Sequence, residues 1–217
     1  MHKSQYLIVP EALSTDLCDR IIERCDDLEM MRATTDGGKK EKNPFAHVRN
    51  SNVAWINTDN FKEGTSDHDL MTEIYDEVDT TFNMARQEMQ LDGWDIDDRQ
   101  SFQYTNYKKG QYYDWHRDSR EDPYVVGDQP GKIRKLSITI LLNDPQEYEG
   151  GHFQLETNWA AGPHESWNRI VTFDPSKYWI QQGTMLIFQS HMFHRVMPVI
   201  KGLRKSLVGW YLGPPWV

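Results

Sequence analysis

Leu17, Cys18, Ile21, Ile22, Cys25 and Leu28 recur at the spacing of one helical face, with charged residues between them. They follow Ser14-Thr15-Asp16, in which Thr15 is the expected N-cap. A second stripe, Leu70, Met71, Ile74, Tyr75, Val78, Phe82, Ala85 and Met89, predicts a longer helix. It starts near Ser66, where Ser66 and Asp69 have capping-box spacing, and ends around Asp92-Gly93. Residues 34–44 between the helices are polar and glycine-rich with a stop at Pro44, which predicts a mobile loop; Arg49 to Ile56 reads as a strand. From there on the period shortens. Ser101 to Tyr107, Lys135 to Leu142, His152 to Glu156, Ile170 to Phe173, Thr184 to Phe188, His194 to Val199 and Lys205 to Leu212 are short β-rich runs separated by turn residues. Asn158 to Asn168, rich in Gly, Pro and Trp, reads as a loop between strands. Such a series predicts a sandwich or barrel. The expected organisation is one domain over residues 1–217, with a helical support region at 1–98 and a β core at 99–213.

Composition changes this picture little. With 38% hydrophobic and 26% charged residues, the chain reads as globular rather than disordered. The net charge of -9 argues against a nucleic-acid partner or an anionic membrane surface. No apolar run is long enough to span a bilayer, and the N-terminal apolar stretch is too short for a secretory signal. Cys18 and Cys25 lie two turns apart on the first helix, roughly 10.5 Å along its axis, too far to bridge. Both read as small core residues of a reducing, cytoplasmic compartment.

His116-Arg117-Asp118 is the first candidate for chemistry. On an extended backbone, residues two apart share a face, so an imidazole and a carboxylate can grip one ion. His194 supplies a second imidazole. Two histidines and a carboxylate on one side of a metal leave positions open, the arrangement of non-haem iron(II) oxygenases. Alone, H-x-D is a weak signal. His191 is the competing third ligand, although its spacing turns it away from His194 on a strand. Zinc is the competing metal, since hydrolases use similar ligands. Further on, Arg204 and Ser206 share a strand face. The planar guanidinium fork suits the far carboxylate of a metal-bound 2-oxo acid, and zinc chemistry gives it no role.

Tyr107-Lys108-Lys109-Gly110-Gln111-Tyr112-Tyr113-Asp114-Trp115-His116-Arg117-Asp118 resembles the Y-x-x-G-Q-x-Y-x-x-H-x-D segment of prolyl 4-hydroxylases. Arg134 to Asp144 followed by Gly150-Gly151-His152-Phe153 resembles the next strand and glycine turn of that family, and Gly183 to Trp210 its C-terminal segment. Arg49-Asn50-Ser51 adds a fainter likeness. The resemblance implies a double-stranded β-helix, a jelly-roll or cupin-like barrel, with N-terminal helices packed on one sheet. It implies Fe(2+), 2-oxoglutarate and O2, ascorbate as a support, and hydroxylation of an unactivated C–H bond with succinate and CO2 as coproducts. It implies iron at His116, Asp118 and His194, and 2-oxoglutarate at Arg204, Ser206 and Tyr107. Arg134 and Trp210 fall where the family lines its peptide groove. Tyr107 reads equally as a strand aromatic, and Trp210 as a core residue.

The expected substrate is a peptidyl side chain, prolyl by analogy. The same chemistry on a free amino acid or small metabolite is the alternative, and a non-catalytic binding barrel a further one. Nucleic-acid demethylation is disfavoured, because Trp210 stands where that branch carries a second arginine. Three features depart from the collagen-type pattern. Arg204 replaces a lysine anchor, His152 replaces an acidic residue, and the segment at 158–168 is longer. His152 and His164 are expected to be solvent-exposed or locally hydrogen-bonded. Asp95, Asp97 and Asp98 lack the glycine and distal glutamate of a calcium loop and read as a solvated turn. Residues 34–44 and 158–168 are the candidate segments to close over substrate.

Overall fold

Along Ile133–Leu141 successive residues have different destinations. Leu136, Ile138 and Ile140 pack into a core shared with the helices, whereas Ser137 hydrogen-bonds Asp118 and Thr139 lines an internal cavity. This two-residue period is the plan of the whole molecule.

The structure, a computed structural model, describes residues 4–33, 48–91, 93–119, 122–124, 129–162, 165–175 and 180–216, with backbone alone for 158–162 and 165–168. The elements in chain order are β1 (Tyr6–Val9), α1 (Thr15–Asp26), β2 (Met31–Arg32), β3 (Arg49–Asn50), β4 (Asn52–Ile56), α2 (Ser66–Glu88), β5 (Asp98–Arg99), β6 (Phe102–Lys108), β7 (Tyr112–His116) and β8 (Ile133–Leu141). They continue with β9 (Tyr148–Gly150), β10 (Phe153–Gly162), β11 (Glu165–Phe173), β12 (Met185–Gln189), β13 (His194–Val196) and β14 (Val199–Gly213). The larger sheet runs β1-β12-β8-β14-β6-β4-β2, with β5 and β9 also paired to β14. The smaller runs β11-β10-β13-β7-β3. Their pairings are antiparallel, as in a double-sheet jelly roll.

Two cores result. One lies between the larger sheet and the helices, joining Leu17, Ile21, Ile74 and Phe82 to Ile138, Ile187 and Leu207. The other lies between the sheets and contains Tyr107, Phe153, Leu155, Phe188 and Val199. Cys18 and Cys25 are buried and unbridged in the first, where burial pushes both thiols up to about 12.

Several expectations need correction. The cap of α1 is Ser14, whose side chain accepts from Leu17 N, one residue before Thr15. The cap of α2 is Thr65, with no side-chain cap bond, so Ser66 and Asp69 form no capping box. This helix stops at Glu88, ahead of Asp92-Gly93. Gln90 takes the left-handed conformation (φ 57°) that a glycine would normally supply, while Met89 and Leu91 are drawn into the core. The strand expected over Arg49 to Ile56 breaks at Ser51 and feeds both sheets. The N-terminal region is thus more than a helical support, since β1 and β4 extend the larger sheet. Of the run expected as a loop, residues 158–162 and 165–168 are strand: they belong to β10 and β11, whose register extends from Phe153↔Phe173 to Gly162↔Glu165. Residues 34–44 lie outside the described residues.

Two ties fasten the helical layer to the barrel. Leu13 N donates to Gly183 O (3.2 Å), and a Cβ on Gly183, at φ 83°, would stand 2.0 Å from Leu13 O. Gly183→Ala is therefore expected to lower unfolding stability by at least about 2 kcal/mol, read by denaturant titration. The second tie is Asp26, which accepts from Tyr104 Oη (2.6 Å) and Lys205 Nζ (2.5 Å). Burial works to raise its pKa, but the bonds from Lys205 and Tyr104 outweigh it and hold the carboxyl below its ordinary value. A depressed carboxyl contributes stability above its unfolded pKa and loses it as pH falls through the folded pKa. Asp26→Asn should thus narrow the stability gap to wild type as pH drops below the usual carboxylate range. A gap that stays constant down to acid unfolding would remove Asp26 as the linked group.

Candidate metal and 2-oxo acid site

The register of the smaller sheet sets His116 on β7 directly opposite His194 on β13. Their rings stand 4.1 Å apart between centroids. His116 Nδ1 lies 2.7 Å from Asp114 O, and His194 Nδ1 2.9 Å from Met192 O. A carbonyl can only accept, so each Nδ1 carries the proton and each Nε2 offers a lone pair. Both Nε2 atoms point to Asp118, at 3.8 Å and 3.4 Å from its carboxylate oxygens. One ligand atom from each of the three residues falls within 4.8 Å of the others. Burial, with His194 nearby, pushes His116 down to about 3, which keeps its ring neutral.

Asp118 lies just beyond the end of β7 and is placed by other means. The N–H groups of Asp118 and Ser119 both donate to Ser190 O (2.9 Å), and Ser137 Oγ donates to Asp118 Oδ2 (2.8 Å). Burial opposes its charge, but His194, His116 and Arg134 hold the carboxyl well below the usual range. Two imidazoles and one carboxylate, each oriented by a further bond, fit a divalent metal. Among the described residues, no other such group of histidine, cysteine and acidic side chains occurs. His191 and Asp114 are exposed and stand outside it. Asp97 and Asp98 instead pair with Lys132.

Arg204 sits opposite Tyr107 in the register of β14 and β6. It is 5% exposed, and no carboxylate lies within ion-pair distance among the described residues. Nη1 donates to Ser206 Oγ (3.0 Å), and the guanidinium lies 5.6 Å from the Tyr107 ring centre. Arg204 lines a cavity together with Tyr148, His152, Thr139, Phe153 and Leu186. Phe153 also packs on the His194 ring (5.6 Å), so the cavity adjoins the metal ligands. Tyr107 and Ser206 are not in its wall; each reaches Arg204 instead. Burial pushes the Tyr107 phenol up, against the pull of Arg49 and Arg204. The glycine turn explains how Arg204 fits. Gly151 has φ 62°, and a Cβ there would stand 3.0 Å from Arg204 Cδ. His152 is neither exposed nor locally bonded, contrary to expectation: it lines the cavity, and its Nδ1 is buried with no partner among the described residues. His164 is outside the described residues.

Arg134 stacks on Trp210 (3.8 Å to the ring) and extends Nη1 to 3.8 Å from Asp118 Oδ1. Trp55 tilts against Trp210 at 6.3 Å. Trp210 is buried, with Nε1 unpartnered. The geometry therefore brings Arg134 and Trp210 beside the carboxylate ligand. Sequence reasoning missed Ser137, Ser190, Tyr148 and Trp55. For Ser137 a signal existed: Ser137 and Thr139 alternate with Leu136, Ile138 and Ile140, and a polar residue on an inward strand face needs a polar partner.

The profile of the 2OG-Fe(II) oxygenase superfamily matches residues 102–212, which contain His116, Asp118, His194 and Arg204. The chain belongs to that superfamily. A PKHD-type hydroxylase of Idiomarina loihiensis is 32% identical over 106 residues, covering 49% of this chain and 39% of that relative. The chain thus spans about two fifths of the length of that curated relative. Among solved structures, a prolyl-4-hydroxylase of Pseudomonas putida superposes with a TM-score of 0.62 at 19% identity, covering 95% of this chain and 92% of that one. A prolyl hydroxylase of Trichoplax adhaerens, solved with a hypoxia inducible factor peptide fragment, gives 0.63 at 20% identity, covering 95% and 83%. These likenesses are of fold, and they agree with the jelly roll expected for the oxygenase. No helix among its described residues is long and apolar enough to cross a membrane.

Proposed function

We propose that the chain is an Fe(II)- and 2-oxoglutarate-dependent hydroxylase acting on a peptidyl side chain, prolyl in the first instance. The observation that carries this reading is a buried guanidinium with no carboxylate partner among the described residues, lining a cavity beside two histidines and an aspartate. A buried unpaired charge is costly, so such a site favours an anionic ligand. Bound iron(II), 2-oxoglutarate and O2 supply oxidative decarboxylation to succinate and CO2, coupled to hydroxylation of an unactivated C–H bond. His116, Asp118 and His194 hold the metal, and Arg204 receives the distal carboxylate of the 2-oxo acid. Ser206 and Tyr107 support Arg204, while Phe153 and Leu186 keep the pocket apolar. Arg134, stacked on Trp210, lines the approach for the primary substrate. The peptide fragment bound by the Trichoplax adhaerens neighbour supports a peptidyl substrate. Two buried, unbridged cysteines fit a reducing compartment, the cytoplasm.

The test is succinate formation from 2-oxoglutarate with Fe(II), ascorbate and O2, followed by NMR with and without a proline-rich peptide. Succinate that rises with the peptide is the expected result. Succinate that ignores the peptide would sink the prolyl assignment and move the search to small metabolites. A protein that binds iron and forms no succinate with any candidate substrate would point to a binding barrel.

A further inference from the structure

We infer that His152 is a second anchor for the distal carboxylate of the 2-oxo acid, donating from Nδ1 beside Arg204. The inference rests on the reading of the cavity as the 2-oxoglutarate pocket. The backbone fixes where this ring can be. Gly151 N donates to Pro198 O (3.1 Å), and Met197 N donates to His152 O (3.0 Å). The turn is thereby pressed onto the segment joining β13 to β14. Gly150 and Gly151, at φ 76° and 62°, permit that approach. A Cβ on Gly150 would stand 2.6 Å from Pro198 O. Residue 152 follows directly and lines the cavity with Arg204 and Tyr148.

The chemistry of the ring then matters. His152 Nδ1 is buried and has no hydrogen-bond partner, although buried polar atoms are almost always bonded. Among the described residues no acidic side chain lines the cavity, so no protein carboxylate meets Arg204 there or accepts from His152. A carboxylate offers about four lone-pair directions, of which a guanidinium fork occupies two. An imidazole N–H can occupy another. Tyr148, whose phenol burial pushes up against the pull of Arg204, completes the polar end of an otherwise apolar cavity. One ligand carboxylate would satisfy both the unpaired guanidinium and the unpartnered ring nitrogen.

The test is calorimetric titration of the full chain with Mn(II), under anaerobic conditions, using 2-oxoglutarate and 2-oxopentanoate. The second ligand keeps the 2-oxo acid head and lacks the distal carboxylate. His152→Phe should weaken 2-oxoglutarate binding by about tenfold or more, the worth of one bond to a charged acceptor, and leave 2-oxopentanoate within about twofold. His152→Gln, which retains a side-chain donor, should recover part of the loss. In protein carrying 15N-labelled histidine, the His152 Nδ1 resonance should move on adding 2-oxoglutarate. Equal weakening of both ligands would mean that the ring only shapes the turn, and no weakening with a stationary resonance would also overturn the inference. Arg204→Ala is the control. If it weakens 2-oxoglutarate binding while His152→Phe does not, His152 alone is excluded. If Arg204→Ala also leaves binding unchanged, the reading of the cavity falls with it.

Discussion

Arg204→Ala is expected to raise the 2-oxoglutarate concentration for half-saturation by roughly 30- to 1,000-fold, the range found when one partner of a buried charged pair is truncated. The size follows from burial. Arg204 is 5% exposed, its bonds within the protein are to neutral groups, and its wall of the cavity is otherwise mostly apolar. A carboxylate left there without the guanidinium would be stranded away from water. The same argument predicts that the free variant is no less stable than wild type. The substitution removes a buried cation whose counter-ion comes only with the ligand, and such charges contribute little to the unliganded fold. Binding isotherms and denaturant curves on one preparation check both halves. Unchanged cosubstrate affinity would mean that another residue is the anchor.

His116→Ala should abolish stoichiometric metal binding and reduce turnover below detection. In the proposed site three side chains would hold the ion, and two would leave it in exchange with solvent. The wild-type chain should melt higher when divalent metal is added, because the ion binds the folded state alone. The variant should show no such rise. Its melting temperature without metal separates loss of the site from loss of the fold. The ring of His116 stacks on Tyr113 (3.4 Å between centroids), so some destabilisation accompanies the lost contact. A variant that retains full metal content would remove His116 from the ligand set.

The site was legible where one rule governs side-chain direction. His116 and His194 fell together because each lies on an extended strand, and Arg204 shared a face with Ser206 for the same reason, whereas Asp118, just past β7, is aimed by its bonds to Ser190 and Ser137. The apolar stripes of both helices were equally plain, since a 3.6-residue period reports burial directly. Terminal details were not. In Ser14-Thr15-Asp16 three adjacent residues have capping side chains, and only the backbone decides which one bonds Leu17 N. Residues 158–162 and 165–168 were misread because Gly and Asn are turn formers, and the pairing of β10 with β11 overrides that local preference. His152 was misjudged because its neighbours in space, Arg204 and Tyr148, come from other strands, and no spacing in the sequence reveals that.

Strand β14 faces two ways along its length. Arg204 and Ser206 look into the barrel, while Lys205 bonds Asp26 and Leu207 enters the helical core. Loss or gain of a single residue ahead of this stretch would exchange the two sets. A lysine and a leucine would then line the cavity, and a guanidinium and a hydroxyl would lie under the helices. The scaffold and the chemistry are thus written in one reading frame. Each helix contact made by Lys205 and Leu207 proofreads the aim of Arg204, so the helical layer sets the direction of that guanidinium without approaching His116, Asp118 or His194.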